Sequence, residues 1–120
     1  TMYHPPAKDI IQKLKQNVVE NISYGKYIIN IFFENGNQLS FSAPFRFGKK
    51  DSISDSPINN FPIEELYLAR ILGCSIVDAT CEEDGTLHVC FSNNDAIAIY
   101  ANNEMYEAYT LLIDGQEYIV

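Results

Sequence analysis

The sequence predicts an α+β domain: two helix-plus-antiparallel-meander units, joined into one antiparallel-sheet domain. Three observations carry this expectation. Short apolar runs alternate strictly with polar residues, as in Ile29, Ile31 and Phe33, Leu39 and Phe41, and Leu87, Val89 and Phe91, which is the period-2 signature of a half-buried strand. Asn35-Gly36, Asp84-Gly85 and Asp114-Gly115 stand between such runs, with Asn93-Asn94 as a weaker fourth, and each reads as a two-residue hairpin turn because Asn, Asp and Gly tolerate positive φ. Finally, a shift of 58 positions lays the apolar frame of 14–43 on that of 72–101 without a gap. Leu14 falls on Leu72, Val18-Val19 on Ile76-Val77, Phe33 on Phe91 and Phe41 on Ile99. Five of those thirty positions are identical, which fits either an internal duplication or shared strand periodicity.

In chain order, the first helix is expected from about Ala7 to Gln16, opened by Pro5-Pro6 and striped by Ile10, Ile11 and Leu14. A meander of strands follows. The polar stretch 48–60, with Lys49, Lys50, Asp51 and Pro57, reads as a mobile linker between units 7–47 and 61–120. The second helix should begin near an Asn60 cap, carry Glu64 and Glu65 at its positive end and Arg70 at its negative end, and stop at Gly73. Its inward side would be Ile63, Leu66, Tyr67 and Ile71. A second strand meander closes the chain. With 120 residues, 47% of them apolar, there is enough for one core and no room for two, so residues 1–120 are expected to be a single domain.

Charge is divided unevenly along the chain. Residues 51–120 hold thirteen of the sixteen Asp and Glu side chains and a single cation, Arg70, whereas residues 1–50 hold seven Lys and Arg against three acids. Summed charge steers oppositely charged partners and repels phosphate, so the second half excludes nucleic acid and points to a basic partner. No apolar run approaches the roughly 18 residues of a membrane helix, and the opening residues lack a basic stretch followed by an apolar one, so no membrane and no secretory signal are expected. An odd number of cysteines without CxxC spacing fits reduced thiols in a cytoplasm.

One constellation merits a metal test. A two-residue Asp84-Gly85 loop would pair Cys81 with His88 and bring Cys90 diagonal to Cys81 on one face, which is zinc chemistry in kind. The competing account is that cysteine packs as a small apolar residue, and no fourth ligand is near in sequence except Glu82 or Glu83 on other positions of the turn. The expectation is therefore no metal and no cofactor. Nothing pairs a nucleophile with a base and an orienting carboxylate, so no catalytic residue is assigned either.

The chain end carries a family resemblance. Tyr106-Glu107-Ala108-Tyr109-Thr110-Leu111, the Asp114-Gly115 turn and Gln116-Glu117-Tyr118-Ile119-Val120 resemble the closing hairpin of small uncharacterised bacterial α+β proteins, where a Tyr-Glu-x-Trp strand precedes the last hairpin. Leu72-Gly73-Cys74-Ser75-Ile76, Asp84-Gly85 and Phe91-Ser92-Asn93-Asn94 are similar to further motifs of the same proteins. Tyr109 stands where those have Trp, and Asn94 where they have Gly. The resemblance covers about residues 72–120 and implies an α+β fold without assigned activity. Many small acidic proteins of that build are immunity proteins.

The functional expectation is a cytoplasmic, non-enzymatic acidic binding protein, an immunity protein that occludes the active site of a basic, nuclease-like toxin domain. The partner-binding residues would be the carboxylates Asp78, Glu82, Glu83, Asp84, Asp95, Glu104 and Glu107, with Tyr100, Tyr106 and Tyr109 as aromatic anchors. A small-ligand-binding protein or enzyme, and a module that self-associates through an unpaired sheet edge, are the alternatives.

Overall fold

A computed structural model of the chain describes residues 5–63, 68–101 and 107–120. It contains one short α-helix, α1 (Lys8–Gln12), and ten strands: β1 (Val19–Tyr24), β2 (Ile29–Phe33), β3 (Gln38–Phe41), β4 (Phe45–Lys49), β5 (Ile58–Asn59), β6 (Ile76–Cys81), β7 (Leu87–Phe91), β8 (Asp95–Ile99), β9 (Tyr109–Ile113) and β10 (Gln116–Ile119). These form two five-stranded antiparallel sheets, in the orders β1-β2-β3-β9-β10 and β5-β4-β8-β7-β6. The α+β, one-sheet expectation is therefore overturned: the protein is mostly β, with two sheets around one core.

Helix was over-read because short apolar stripes near Asn and Pro do not by themselves sustain one. A helix of a turn or two fixes many dihedrals for few hydrogen bonds. Beyond Gln12 the chain turns until Gln16 takes φ +74°, which ends the first helix well short of its expected length. In the second case the described part is a four-residue 3-10 helix, Leu68–Ile71, buried through Leu68 and Ile71; Glu64 to Tyr67 lie outside the described residues. Gly73 does take the left-handed conformation, at φ +78°.

Internal correspondence runs through the topology in an unexpected way. In each sheet three consecutive strands form a meander, and both meanders begin with a bulge, between Val19 and Asn21 in β1 and between Ile76 and Asp78 in β6. Phe33 pairs with Val19, and Phe91 with Ile76; all four are buried. The offset between halves is thus 58 at β2 and β7 but one less at β1 and β6, and Val77, set against Val19 by the uniform shift, is 49% exposed. The next strand then crosses over. β4, from the first half, pairs with β8, while β9, from the second, pairs with β3. Each sheet is completed by the other half's strands, so neither half has a closed sheet alone.

The inner faces share one core, where the Phe41 and Phe45 rings meet edge to face at 5.0 Å between centroids. At one end the sheets are stitched by backbone bonds: Val19 N–H to Cys74 O, Gly73 N–H to Val19 O, and Ile76 N–H to Asn17 O. The stretch read as a linker is ordered. It contains the end of β4, a 3-10 segment (Lys50–Asp55) and β5, and the 3-10 segment lies over β4 and β8. Small residues make this close approach feasible: Ala96 and Ala98 are buried although they point outward, and a Cβ at Gly48 would collide with Ser56. Arg46 fastens the cover by donating to Ser54 O and Ser56 O.

Candidate functional site

The β6–β7 hairpin presents three successive carboxylates, Glu82, Glu83 and Asp84, all exposed. Its loop is one residue longer than the Asp84-Gly85 signal suggested. Glu82 pairs with Thr86 through its N–H, Gly85 N–H closes back to Glu82 O, and Gly85 sits at φ +94°. This is the three-residue hairpin loop in which the glycine forms a bulge. The Asp84 carboxylate accepts the Thr86 N–H at 2.9 Å, and that bond holds its pKa below the ordinary 3.8. From the opposite sheet Tyr109 donates its hydroxyl to Gly85 O at 2.6 Å. The tip's backbone is therefore held from inside and across its base, and of its three carboxylates Asp84 is the one that this anchoring fixes.

Because the folded pKa of Asp84 is depressed, the Asp84–Thr86 bond is intact at neutral pH and is lost as pH falls through that lowered value. The Thr86 amide resonance should titrate with a midpoint under pH 3.8; a midpoint at or above it means that the carboxylate does not hold this amide.

The extra loop residue also disposes of the zinc geometry. Cys81 pairs with Leu87, Thr80 with His88 and Asp78 with Cys90. A one-residue slip moves side chains to the other face, so His88 and Cys90 lie outward with Asp78, while Cys81 points inward, 3.4 Å from the Tyr109 hydroxyl. Among the described residues no three His, Cys, Asp or Glu side chains converge. His88 Nε2 instead lies 3.2 Å from Glu82 Oε2.

Beside the tip runs a groove of about 410 Å³ between α1 and the end of β6. Pro6, Ile11 and Cys81 supply apolar lining, Glu82 and Glu83 one wall, and Lys8 another. α1 is set along this edge by Gln12, whose amide donates to Ala79 O at 2.9 Å. Burial pushes the Cys81 thiol upward, as do the nearby Asp84 and Glu82 charges, so it stays protonated and is a poor nucleophile. Sequence reasoning missed the groove, since nothing in the spacing of Pro6, Ile11 and Cys81 shows that they meet.

A family model matches residues 10–120, from within α1 to the end of β10. The chain belongs to DUF6188, a family of unknown function. No curated protein and no solved structure matches it. The family description names no activity, and the immunity likeness read from the closing hairpin rests on sequence motifs alone.

The other expected contact residues separate widely. Asp78 is exposed on β6, its carboxylate 3.8 Å from Lys15. Glu107 is exposed at a second depression lined by Tyr27, Ser42 and Phe61. Tyr100 is half-buried, its oxygen accepting from Arg46 Nε at 2.9 Å. Glu104 and Tyr106 lie outside the described residues. Two residues cannot serve as surface contacts at all. Asp95 is fully buried, bound in two-pronged fashion by Arg70 and approached by Lys49 at 3.3 Å, and Tyr109 is 2% exposed in the core.

Folding also rearranges the charge read along the chain. Lys13 meets Asp114 at 3.5 Å, Lys15 meets Asp78, and Lys49 meets Asp95, each pair joining a first-half cation to a second-half carboxylate. The crossover of β4 carries Arg46 and Lys49 into the sheet of the acidic half. What stays concentrated is the tip, where Glu83 has no ion-pair partner among the described residues. No helix among these residues is long and apolar enough to cross a membrane.

Proposed function

We propose that the chain is a non-enzymatic binding protein that receives a basic protein partner at the β6–β7 tip and the adjoining groove, and that this partner is a toxin domain which the chain neutralises as its immunity protein. The observation that carries the reading is the row Glu82-Glu83-Asp84 on an anchored hairpin backbone beside an apolar-lined groove. Carboxylates carried on an anchored loop attract a cationic surface at a smaller ordering cost than a mobile segment would incur. The groove suits the aliphatic stem of an incoming Arg or Lys, whose charged head would then lie near Glu82 or Glu83. The half-buried Cys81 thiol in the same groove, its pKa raised by desolvation, argues against covalent chemistry there.

The test is association with the product of the neighbouring gene, at low and high salt. Since Asp84 also holds the loop, the informative variant reverses only Glu82→Lys and Glu83→Lys. Its association rate should fall by roughly 10-fold to 100-fold at low salt, with little change in unfolding stability, because exposed carboxylates contribute little to a fold while long-range attraction sets encounter. Association that is indifferent to salt, or an unchanged on-rate in the variant, defeats this reading.

A further inference from the structure

We propose that the outer face of the first sheet is the interface of a two-fold symmetric dimer of this chain. The face consists of the outward residues of β1, β2, β3, β9 and β10, which the pairing register sets in two rows across the sheet. Its residues are half-buried or exposed along all five strands, whereas on the corresponding face of the second sheet the chain's own segment Lys50–Asp55 covers β4 and β8, leaving Asp78 and Thr80 exposed and His88 and Cys90 half-buried. The hairpin that matches β4–β5 in the first sheet is joined by the Asp114-Gly115 turn alone and supplies no such cover.

Three properties fit this face to a second copy. Among the described residues that the pairing register sets outward, Glu117 alone is charged, in a chain of net charge −8 that would otherwise repel itself. Its central polar groups satisfy one another: Ser40 Oγ donates to Asn30 Oδ1 at 2.6 Å and Gln38 Nε2 donates to Ser40 Oγ at 2.8 Å. The Asn30 Nδ2 and Gln38 Oε1 groups then have to find partners across the contact for water to leave without a cost. Third, the pattern is self-complementary about a two-fold axis laid along β3, the middle strand. That axis sets Phe32 on the partner copy's Leu112, Asn30 on its Thr110, and Gln38 and Ser40 near their own counterparts. Glu117 comes to Asn21 instead of to another carboxylate. Only the rim pair, Ser23 with Ile119, is mixed.

Five strands about 4.8 Å apart and roughly four residues deep make a small footprint. It belongs at the weak end of specific interfaces, so the dimer forms only at high concentration. The tip and groove are not part of this face, and the inference stands whether or not the toxin partner is right.

The test is sedimentation equilibrium from about 10 μM to about 1 mM protein, a range set by mass action on a weak dimer. The expected result is a mass that climbs toward twice the monomer for the native chain and stays monomeric for Ser40→Arg, with the same thermal unfolding for both. Oxidising a mixture of the single variants Asn21→Cys and Glu117→Cys should yield a covalent dimer, which neither variant alone nor the native chain gives; the two positions are at opposite edges of one sheet and meet only between copies. A native chain monomeric at the highest concentration, a Ser40→Arg dimer, or no cross-link in the mixture overturns the proposal.

Discussion

Tyr109→Ala should lower the unfolding free energy by about 3–5 kcal/mol, the cost of emptying a buried aromatic site, while Tyr109→Phe should cost about 1–2 kcal/mol for one buried hydrogen bond. The ring is 2% exposed, on the inner face of β9 opposite Phe41. Its hydroxyl reaches across the core to Gly85 O at 2.6 Å, so the phenylalanine variant strands a carbonyl at the base of the acidic tip. Burial also pushes the phenol above its ordinary range. Its contribution is therefore present below pH 10.0, the ordinary value, and is lost as pH rises toward the folded one, because the unfolded chain releases a proton that the folded chain keeps. Denaturant unfolding at neutral and alkaline pH checks both parts. A Tyr109→Phe variant as stable as the parent, or equally sensitive to alkali, contradicts the buried bond.

Asp95→Ala should cost about 2–4 kcal/mol in the same assay, since it removes several charge-assisted hydrogen bonds to a fully buried carboxylate. Arg70 binds both carboxylate oxygens, at 2.8 and 3.1 Å, Asn93 Nδ2 donates at 2.8 Å, and Lys49 stands at 3.3 Å. The loss is set below that of a fully buried pair because the Arg70 and Lys49 side chains are 48% and 60% exposed and can turn to water when the carboxylate goes. Asp95→Asn keeps the shape and should cost less than the alanine variant. Equal stability of Asp95→Ala and the native chain would mean that the cluster is decoration. The 3-10 helix that ends at Ile71 is tied to the β7–β8 turn through these contacts and through Asn93 Nδ2 to Arg70 O, so local melting there should accompany the loss.

Several elements could be read from residue type alone. The alternation of Ile29, Ile31 and Phe33 and of Leu87, Val89 and Phe91 marks β2 and β7, whose burial follows the same period. Turn positions were equally plain: Gly36, Gly85, Asn94 and Gly115 all take positive φ. Loop length was not. Of the four turn signals, only Asp114-Gly115 makes a two-residue turn, with both residues at positive φ, while Gly85 closes a three-residue loop. Asx-Gly serves both geometries, and the choice moved Cys81 to the other face from His88 and Cys90. The same limit applied to the tip: its acidity was legible, but the neighbouring groove is made by α1 docking on a strand more than sixty residues away in sequence.

Asp95 and Tyr109 show where such reading stops. A carboxylate beside a turn signal and a tyrosine in a strand look like surface groups until the strands that bury them are known. Alternation and left-handed turn residues act through the sterics and solvation of neighbouring residues, so β2, β3, β7 and the turn positions could be placed without the fold. The exchange of β4 and β9 between the sheets follows from tertiary structure alone, because that pairing is selected by closure of a common core among strands far apart in sequence. It is this exchange that spends first-half cations on second-half carboxylates, and leaves Glu82, Glu83 and Asp84 as the concentrated charge that remains.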